Sequence, residues 1–508
     1  MIGAGPGGAV AGGSPLTVEA GLRALQAGGN AVDAAVAAQL MACVSEPLLT
    51  GLGGGGLAIV RHGDRTQVLD AFSAMPGLGE PAPGPHAPDV VTLDFGPDTQ
   101  SFLVGPATAA PPGLPQGLVA LHQGRGLLTL AQLAEPAARA ARRGVPVTVG
   151  FARAVRLLWP IVARDPHLAE ALGPGGEPLD VGDSFRLPAL GDTLERLAAE
   201  GAHFLTHGDG ARAVLARLGP AGCLTGQDLQ ACVPIWRAPL QGRYRGRTVS
   251  VPGAPSAAGA MVLRILGELE AGGPLPPPLD VQHAGRLIRA MDRALGALPG
   301  DYPGRLAERG YLEAFVGSGH TTHVSAVDGD GNAVGITSSL GETAGVLVQD
   351  TGVVLNNFLG EADVNPPDHP RAPGERLVTM CCPTTLEGDS GLYVMGAGGS
   401  SRIRSAVTHG VVFLSDHNMS AQEAVQAPRL HLDEGTLRVE IMERPPGFRE
   451  ALSLDWPRLI PFERHGMYFG GLHMAGRKDG VFTGGGDPRR TGSWASTGRA
   501  IGVGEAQW

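Results

Sequence analysis

The chain has 508 residues, 43% hydrophobic and 17% charged. That is a globular composition, which excludes a disordered chain, and length alone suggests roughly three domains. The formal net charge of −10 disfavours a general affinity for nucleic acid or an anionic membrane, since both need a basic face, and with Lys478 as the only lysine P-loop and Schiff-base chemistry are excluded because each needs a lysine at its centre.

The 79 glycines and 42 prolines predict many turns and close backbone approaches. Five cysteines, Cys43, Cys223, Cys232, Cys381 and Cys382, are odd in number and lack metal spacing, which predicts reduced thiols rather than a disulfide framework. The first residues lack the basic and apolar regions of a secretory signal, and no run is apolar enough to span a bilayer. A cytoplasmic protein is expected, or a periplasmic or secreted one if a leader has been removed.

In chain order, Gly3 to Gly8 spells a dinucleotide fingerprint but follows no strand and contains Pro6, so a flexible lead is the better reading. Leu16 to Ala27 and Ala31 to Val44 read as helices, the second capped by Asn30 and rich in small residues that favour tight burial. Thr50 to Leu57 is a glycine run leading into the strand Leu57 to Val60. It suits either a backbone anion nest or a crowded turn under another strand. Residues 76 to 115 read as loop, and Leu130 to Arg143 as a helix that Pro136 should kink or divide. Further helices are expected at Leu190 to Glu200, Gly210 to Leu218 and Ala257 to Gly272, a strand at Tyr244 to Val251, and an exposed connection at Leu298 to Gly319.

Thr321 to Val327, the turn residues Asp328 to Asn332, and Ala333 to Thr337 read as a β-hairpin. A turn centred on Asp330 brings Thr321 near Ser339, which places one hydroxyl at a strand start beside a second: a nucleophile and its helper. Asp328, Asp330 and Asn332 also suggest the first half of a calcium loop, but Ala333 and Ser339 stand where glycine and glutamate are required, so a turn is expected. His320 and His323 lack a metal-like partner set and read as packing or hydrogen-bonding groups. Strands are expected at Gly352 to Phe358 and Gly391 to Gly396. The second runs through Ala397 to Arg402 into the helix Ile403 to Leu414, a junction that leaves backbone donors free for an oxyanion.

In order along the chain, Gly28 to Ala38, Glu46-Pro47, Gly51 to Gly56, Pro136 to Arg143, Pro252 to Gly259, Thr321 to Asp328, Gly331 to Val334 and Leu355-Asn-Asn357 resemble motifs of the γ-glutamyltransferase family of N-terminal nucleophile hydrolases. The likeness continues through Pro373-Gly374 with Arg376, Gly398 to Arg402, Ala427-Pro-Arg429 and Asp487-Pro-Arg489. The resemblance implies an α+β fold, a four-layer αββα sandwich, made as a single precursor. Cleavage of the His320–Thr321 bond would give a large subunit, 1–320, and a small subunit, 321–508, that pair as a heterodimer. It implies Thr321 as nucleophile and Ser339, where threonine is usual, as the supporting hydroxyl. The amides of Gly399 and Ser400 would form the oxyanion hole, and neither metal nor cofactor is implied.

The departures fall in the donor pocket. Phe72 stands where an arginine usually holds the donor carboxylate, and Thr379 and Met380 replace paired serines. Near the donor amine, Gly341 and Phe358 replace polar residues, while Glu361 keeps an acidic one. The resemblance therefore implies an autoprocessing, glutathione hydrolase-like acyltransferase that passes an acyl group to water or an amine, with γ-glutamyl compounds as the default donor. Two alternatives stay open: a relative acting on a non-glutamyl amide, as some members do on capsule polymers and cephalosporin side chains, and an unprocessed homologue that only binds ligand. Cys381-Cys382 is expected near the pocket without a catalytic partner.

Overall fold

The expected hairpin lies at the centre of the fold. The structure is a computed structural model, and it describes residues 7–81, 84, 86–94, 99–296, 320–366, 370–388, 391–433 and 435–503. Strands His320–Asp328 and Ala333–Gly341 pair antiparallel, with Thr321 opposite Ser339 and Val327 opposite Ala333. The Asp328 carboxylate closes the turn by accepting from the Asp330 and Asn332 amides and from Asn332 Nδ2, and it also accepts from the Ala31 amide. The Asp328 side chain is thus engaged in local backbone chemistry of the Asx kind.

An antiparallel sheet runs in the order Arg499–Val503, Ser493–Ser496, Gly8–Gly12, His320–Asp328, Ala333–Gly341, Gly55–His62, Arg65–Ala71, Ile235–Arg237. A second antiparallel sheet has the order Val481–Gly485, Gly471–Lys478, Gly391–Gly398, Thr384–Gly388, Arg247–Val251, Leu240–Tyr244. Ala11, Ile59, Val327, Val394, Ala475 and Trp494 form the apolar layer between them. Helices Pro15–Gln26, Ala31–Ser45 and Leu130–Arg143 share a core with the outer face of the first sheet, and Ala257–Ala271, Val281–Gly296 and Arg402–Asp416 share one with the second. Two sheets between two helical layers make an αββα sandwich of α+β class. Every residue of Ala31–Ser45 is buried, which its small side chains allow, and Asn30 and Asp33 cap it reciprocally.

Strand parity decides which side chains reach the site. On His320–Asp328, Thr322, Val324 and Ala326 face the helices; Val324 and Ala326 sit in that core, and Thr322 reaches Glu46. His323, Ser325 and Val327 face the second sheet, where the Ser325 hydroxyl donates to the Val394 carbonyl. Thr321 shares this inward parity. His323 is buried and held by Thr337 and Ser325, both at 2.8 Å, the hydrogen-bonding role expected of it.

Several expectations are corrected. Gly8 begins a buried strand of the central sheet, not a flexible lead, while residues 1–6 lie outside the described residues. Residues 76–115 are not all loop: Asp89–Asp94 and Thr99–Val104 pair as a hairpin whose alternate residues are buried. Tyr244 to Val251 is the end of one strand and the whole of another, because Arg245 and Gly246 at φ 48° and 77° form a tight turn. Gly352 to Phe358 contains only a two-residue strand, Val353–Val354. The helix Leu130–Arg143 continues through Pro136 as one element, held by its Thr129–Gln132 cap and a buried face of Leu133, Ala134, Ala137, Ala138 and Ala141. The connection expected at Leu298 to Gly319 lies outside the described residues. Length suggested separate domains, yet Gly8–Gly12 pairs with His320–Asp328 and Arg247–Val251 pairs with Thr384–Gly388, so each sheet draws strands from both ends of the chain. No helix among the described residues is long and apolar enough to cross a membrane.

Candidate active site

Thr321 is 4% exposed, and its Oγ1 donates to Ser339 Oγ at 3.2 Å. Ser339 Oγ also accepts from the Gly341 amide at 2.8 Å. The ladder is irregular between His320 and Thr321: His320 pairs with Gly341 and Thr321 with Ser339, so Leu340 is skipped at the expected scissile bond. The Thr321 carbonyl accepts from Arg490 Nη1 at 2.9 Å. Gly398 approaches the same carbonyl so closely that a Cβ there would lie 1.9 Å from the oxygen, which requires glycine. Behind the strand, Thr322 Oγ1 donates to Glu46 Oε2 at 2.7 Å and Thr17 Oγ1 to Glu46 Oε1 at 3.0 Å. Burial pushes the Glu46 carboxyl up, opposed by those hydroxyls and the Arg490 charge. Backbone and neighbours thus fix Thr321 while leaving its hydroxyl toward Ser339.

The glycine run resolves in favour of crowding. A Cβ on Gly53 would lie 2.0 Å from the Val354 carbonyl, and one on Gly54 2.1 Å from that of Ser339. These glycines let the neighbouring chain pack beside the two hydroxyls.

The strand Gly391–Gly398 ends in a turn before the helix Arg402–Asp416. Gly399 has φ 117° and Ser400 φ 45°; the left-handed region is costly for a serine, at about 1–3 kcal/mol. The turn is held where the Arg402 and Ile403 amides donate to the Gly399 and Ser400 carbonyls, and where Ser400 Oγ donates to Asp363. The Gly399 and Ser400 amides have no acceptor among the described residues. Two unpaired N–H groups at a strained turn suit an oxyanion.

Thr321, Ser339 and Ser400 line one cleft with Phe72, Phe358, Glu361, Thr379 and Met380. Nearly all the expected site residues therefore come together, and Gly341 and Gly399 adjoin them. Phe72 and Phe358 are buried, with ring centroids 4.6 Å apart, in an apolar cluster with Val364 and Leu377. Facing them are carboxylates. Burial holds Glu342 and Glu361 well above the usual carboxylate range, helped by repulsion from Glu361 and Asp363 at the first and from Asp363 at the second, and burial raises Asp363 as well. A Cβ at Gly341 would lie 1.6 Å from Glu361 Oε1 and 2.1 Å from Asn357 Oδ1, so glycine makes room for both groups. Thr379 Oγ1 accepts from the Cys381 amide at 3.1 Å. Burial pushes the Cys381 and Cys382 thiols up to about 12, so neither is a thiolate at neutral pH.

Sequence reasoning missed Arg490 and Asp363, and it quoted Glu46 only as part of a motif. Arg490 follows the Asp487-Pro-Arg489 motif, which was the available signal. The structure explains that motif: Arg429 and Asp487 pair at 2.5 Å, Arg489 and Glu440 at 2.5 Å, and Arg489 and Asp487 at 3.1 Å, all buried. This cluster anchors the segment that carries Arg490 to Thr321. Asp363 had no local pattern, since only the fold brings it under Ser400.

A family model described as gamma-glutamyltranspeptidase matches residues 17–298 and 303–497. The chain is 32% identical to the Acylase ACY 1 proenzyme of Pseudomonas sp. (strain V22), over 92% of this chain and 90% of the relative. It is 27% identical to the glutathione hydrolase proenzyme of Escherichia coli (strain K12), covering 84% and 80% respectively. The fold is similar to the crystal structure of cephalosporin acylase from Bacillus halodurans, with a TM-score of 0.81 at 24% identity, over 96% of this chain and 95% of that one.

Proposed function

The chain belongs to the γ-glutamyltranspeptidase family of enzymes, and from that premise we propose that it is a proenzyme that cuts its own His320–Thr321 bond and then uses Thr321 to transfer an acyl group from an amide. In the precursor, Thr321 Oγ1 attacks the His320 carbonyl carbon. The C–N bond breaks as the C–O ester forms, and water then releases a carboxylate at residue 320 and a new amine at Thr321. Residues 1–320 and 321–508 remain one heterodimer, because each sheet contains strands from both parts.

In turnover, the Thr321 α-amine, with a reference pKa of about 8, takes the proton of its own hydroxyl. The alkoxide attacks the donor amide, and the resulting oxyanion accepts from the Gly399 and Ser400 amides. Collapse breaks the amide C–N bond, the leaving amine takes the proton from the α-ammonium, and the acyl group remains as an ester on Thr321. Water or an amine then attacks that ester by the reverse steps. The observation that carries this reading is the Thr321–Ser339 hydroxyl pair in one cleft with a strained turn whose amides have no acceptor among the described residues.

The test is a burst experiment with a chromogenic amide. Stoichiometric release of the leaving group, with an acyl mass on the fragment that begins at Thr321, is expected. Ligand binding without a burst, unchanged by Thr321→Ala, would favour the non-catalytic alternative. As to donor, the buried Phe72–Phe358 pair favours the non-glutamyl amide over the default γ-glutamyl compound, because an aromatic ring offers a carboxylate no counter-ion.

A further inference from the structure

Arg490 reaches the nucleophile through its own peptide group. Its Nη1 donates to the Thr321 carbonyl at 2.9 Å, and the side chain is buried. Glycine clears the path: Gly398 and Gly471 pair across the ladder, and a Cβ on either would lie 2.9 Å from the Arg490 side chain. The preceding Arg489 is fixed by its pairs with Glu440 and Asp487, which holds the guanidinium in place. Burial and the Arg402 charge pull Arg490 down to about 10, so it is a cation at neutral pH.

This charge therefore sits on the residue whose nitrogen becomes the general base. In the precursor that nitrogen is a neutral amide, on which the cation has no ionisation to influence. After self-cleavage it is an amine, and a like charge beside it disfavours the ammonium. Arg402 acts in the same sense. Glu46, Glu342, Glu361, Asp363 and the carboxylate released at residue 320 act in the opposite one. Burial holds Glu46, Glu342, Glu361 and Asp363 toward their neutral forms, and His323 and His473 are kept neutral by it. Asp487 is paired with Arg429 and Arg489. The charge in direct contact with the Thr321 peptide then prevails. Resting on the acyl-transfer reading above, we propose that the Arg490 cation, seated on the Thr321 carbonyl, keeps the newly released α-amine unprotonated at neutral pH, ready to act as base. Arg490 touches no reacting atom; it is a positioning residue that acts through Thr321.

The test is the pH profile of acylation of the self-cleaved protein by p-nitrophenyl acetate, which has no ionisable group. Enzyme-free blanks are subtracted, and the acetyl mass is located on the fragment that begins at Thr321 as a hydroxylamine-labile ester. The acid limb of the unmodified enzyme is expected at about 7 or below, against about 8 for an ordinary α-amine. Arg490→Gln moves the limb up, so its loss of rate is about tenfold greater at pH 6 than at pH 9, while Arg490→Lys, which keeps a cation, retains part of the effect. A merely structural role gives the same loss at both pH values. Warming lowers the inflection of an ammonium and leaves that of a carboxylate nearly still, so the limb should fall as the assay is warmed. A limb at about 8 or above in the unmodified enzyme overturns the proposal without the aid of any variant. So does a limb indifferent to temperature, which belongs to one of the carboxylates, or a pH-independent loss in Arg490→Gln. These results leave the acyl-transfer reading intact, whereas a chain that stays uncut or forms no acyl-enzyme overturns both.

Discussion

Replacing Ser339 by alanine separates the catalytic from the structural role of the second hydroxyl. The side chain accepts from Thr321 Oγ1 at 3.2 Å and from the Gly341 amide at 2.8 Å. The first is a long bond between neutral groups, contributing about 0.5–1.5 kcal/mol, so its loss should slow acylation by roughly 2- to 13-fold. The second loss leaves a buried N–H without an acceptor and should cost about 1–3 kcal/mol of stability. Ser339→Thr keeps the oxygen and adds one methyl on a strand whose partner in the ladder, Gly55, has no side chain. The assays are single-turnover acylation on the matured enzyme, the rate of chain cleavage after synthesis, and urea unfolding. The alanine variant should be slow in both chemical steps and less stable, with threonine close to the unmodified protein. An alanine variant that acylates at the unmodified rate, while being destabilised, would show that Ser339 only supports the backbone and would refute this reasoning.

Three further outcomes are expected. Gly399→Ala puts a side chain at φ 117° with its Cβ 3.0 Å from Gly470 Cα; by displacing the oxyanion amides it should lower kcat by about 10²-fold with a smaller change in KM, so an unaltered kcat would remove Gly399 from the oxyanion hole. Burial would raise Glu440, but the Arg489 charge and hydrogen bonds outweigh it and hold Glu440 at about 2, while Asp487 is held below the usual range against its own burial by Arg429 and Arg489. Folded-state values below the unfolded ones mean that this contribution is complete above about pH 5 and is lost as pH falls toward 2; denaturant midpoints should fall over that window, less steeply for Glu440→Gln, and an identical slope in the variant would contradict the assignment. With the Cys381 and Cys382 thiols held at about 12, iodoacetamide at pH 7.5 should leave turnover unaffected, and rapid inactivation traced to either residue would show a reactive thiol.

Much of the centre of this fold was legible because local chemistry and global packing agree there. The Asp328 to Asn332 turn fixes the hairpin register, and through it the Thr321–Ser339 pair. The helix Ala31–Ser45 shows its cap and its total burial in its composition. The elements that were misread are those where tertiary contacts override local pattern. Pro136 sits inside a helix held by its buried face, and Gly8 looked like the end of a flexible lead until the hairpin strand paired beside it. In the site, Phe72, Phe358, Glu361, Thr379 and Met380 were reached through motif position, and the cleft assembles them. Arg490 and Asp363 were not reached, because their roles depend on a carbonyl and a hydroxyl far away in sequence. Gly341 was reached through motif position too, but the space left by its missing side chain has meaning only once Glu361 lies against it.

The most direct measurement is intact-mass analysis of the purified full chain, with N-terminal sequencing of the smaller fragment, beside the Thr321→Ala variant. The account predicts two fragments meeting at the His320–Thr321 bond, a smaller fragment that begins Thr-Thr-His-Val, and a variant that stays a single chain. A chain that hydrolyses amides while uncut, or one cut at another bond, would contradict the assignment of Thr321 as both scission point and nucleophile.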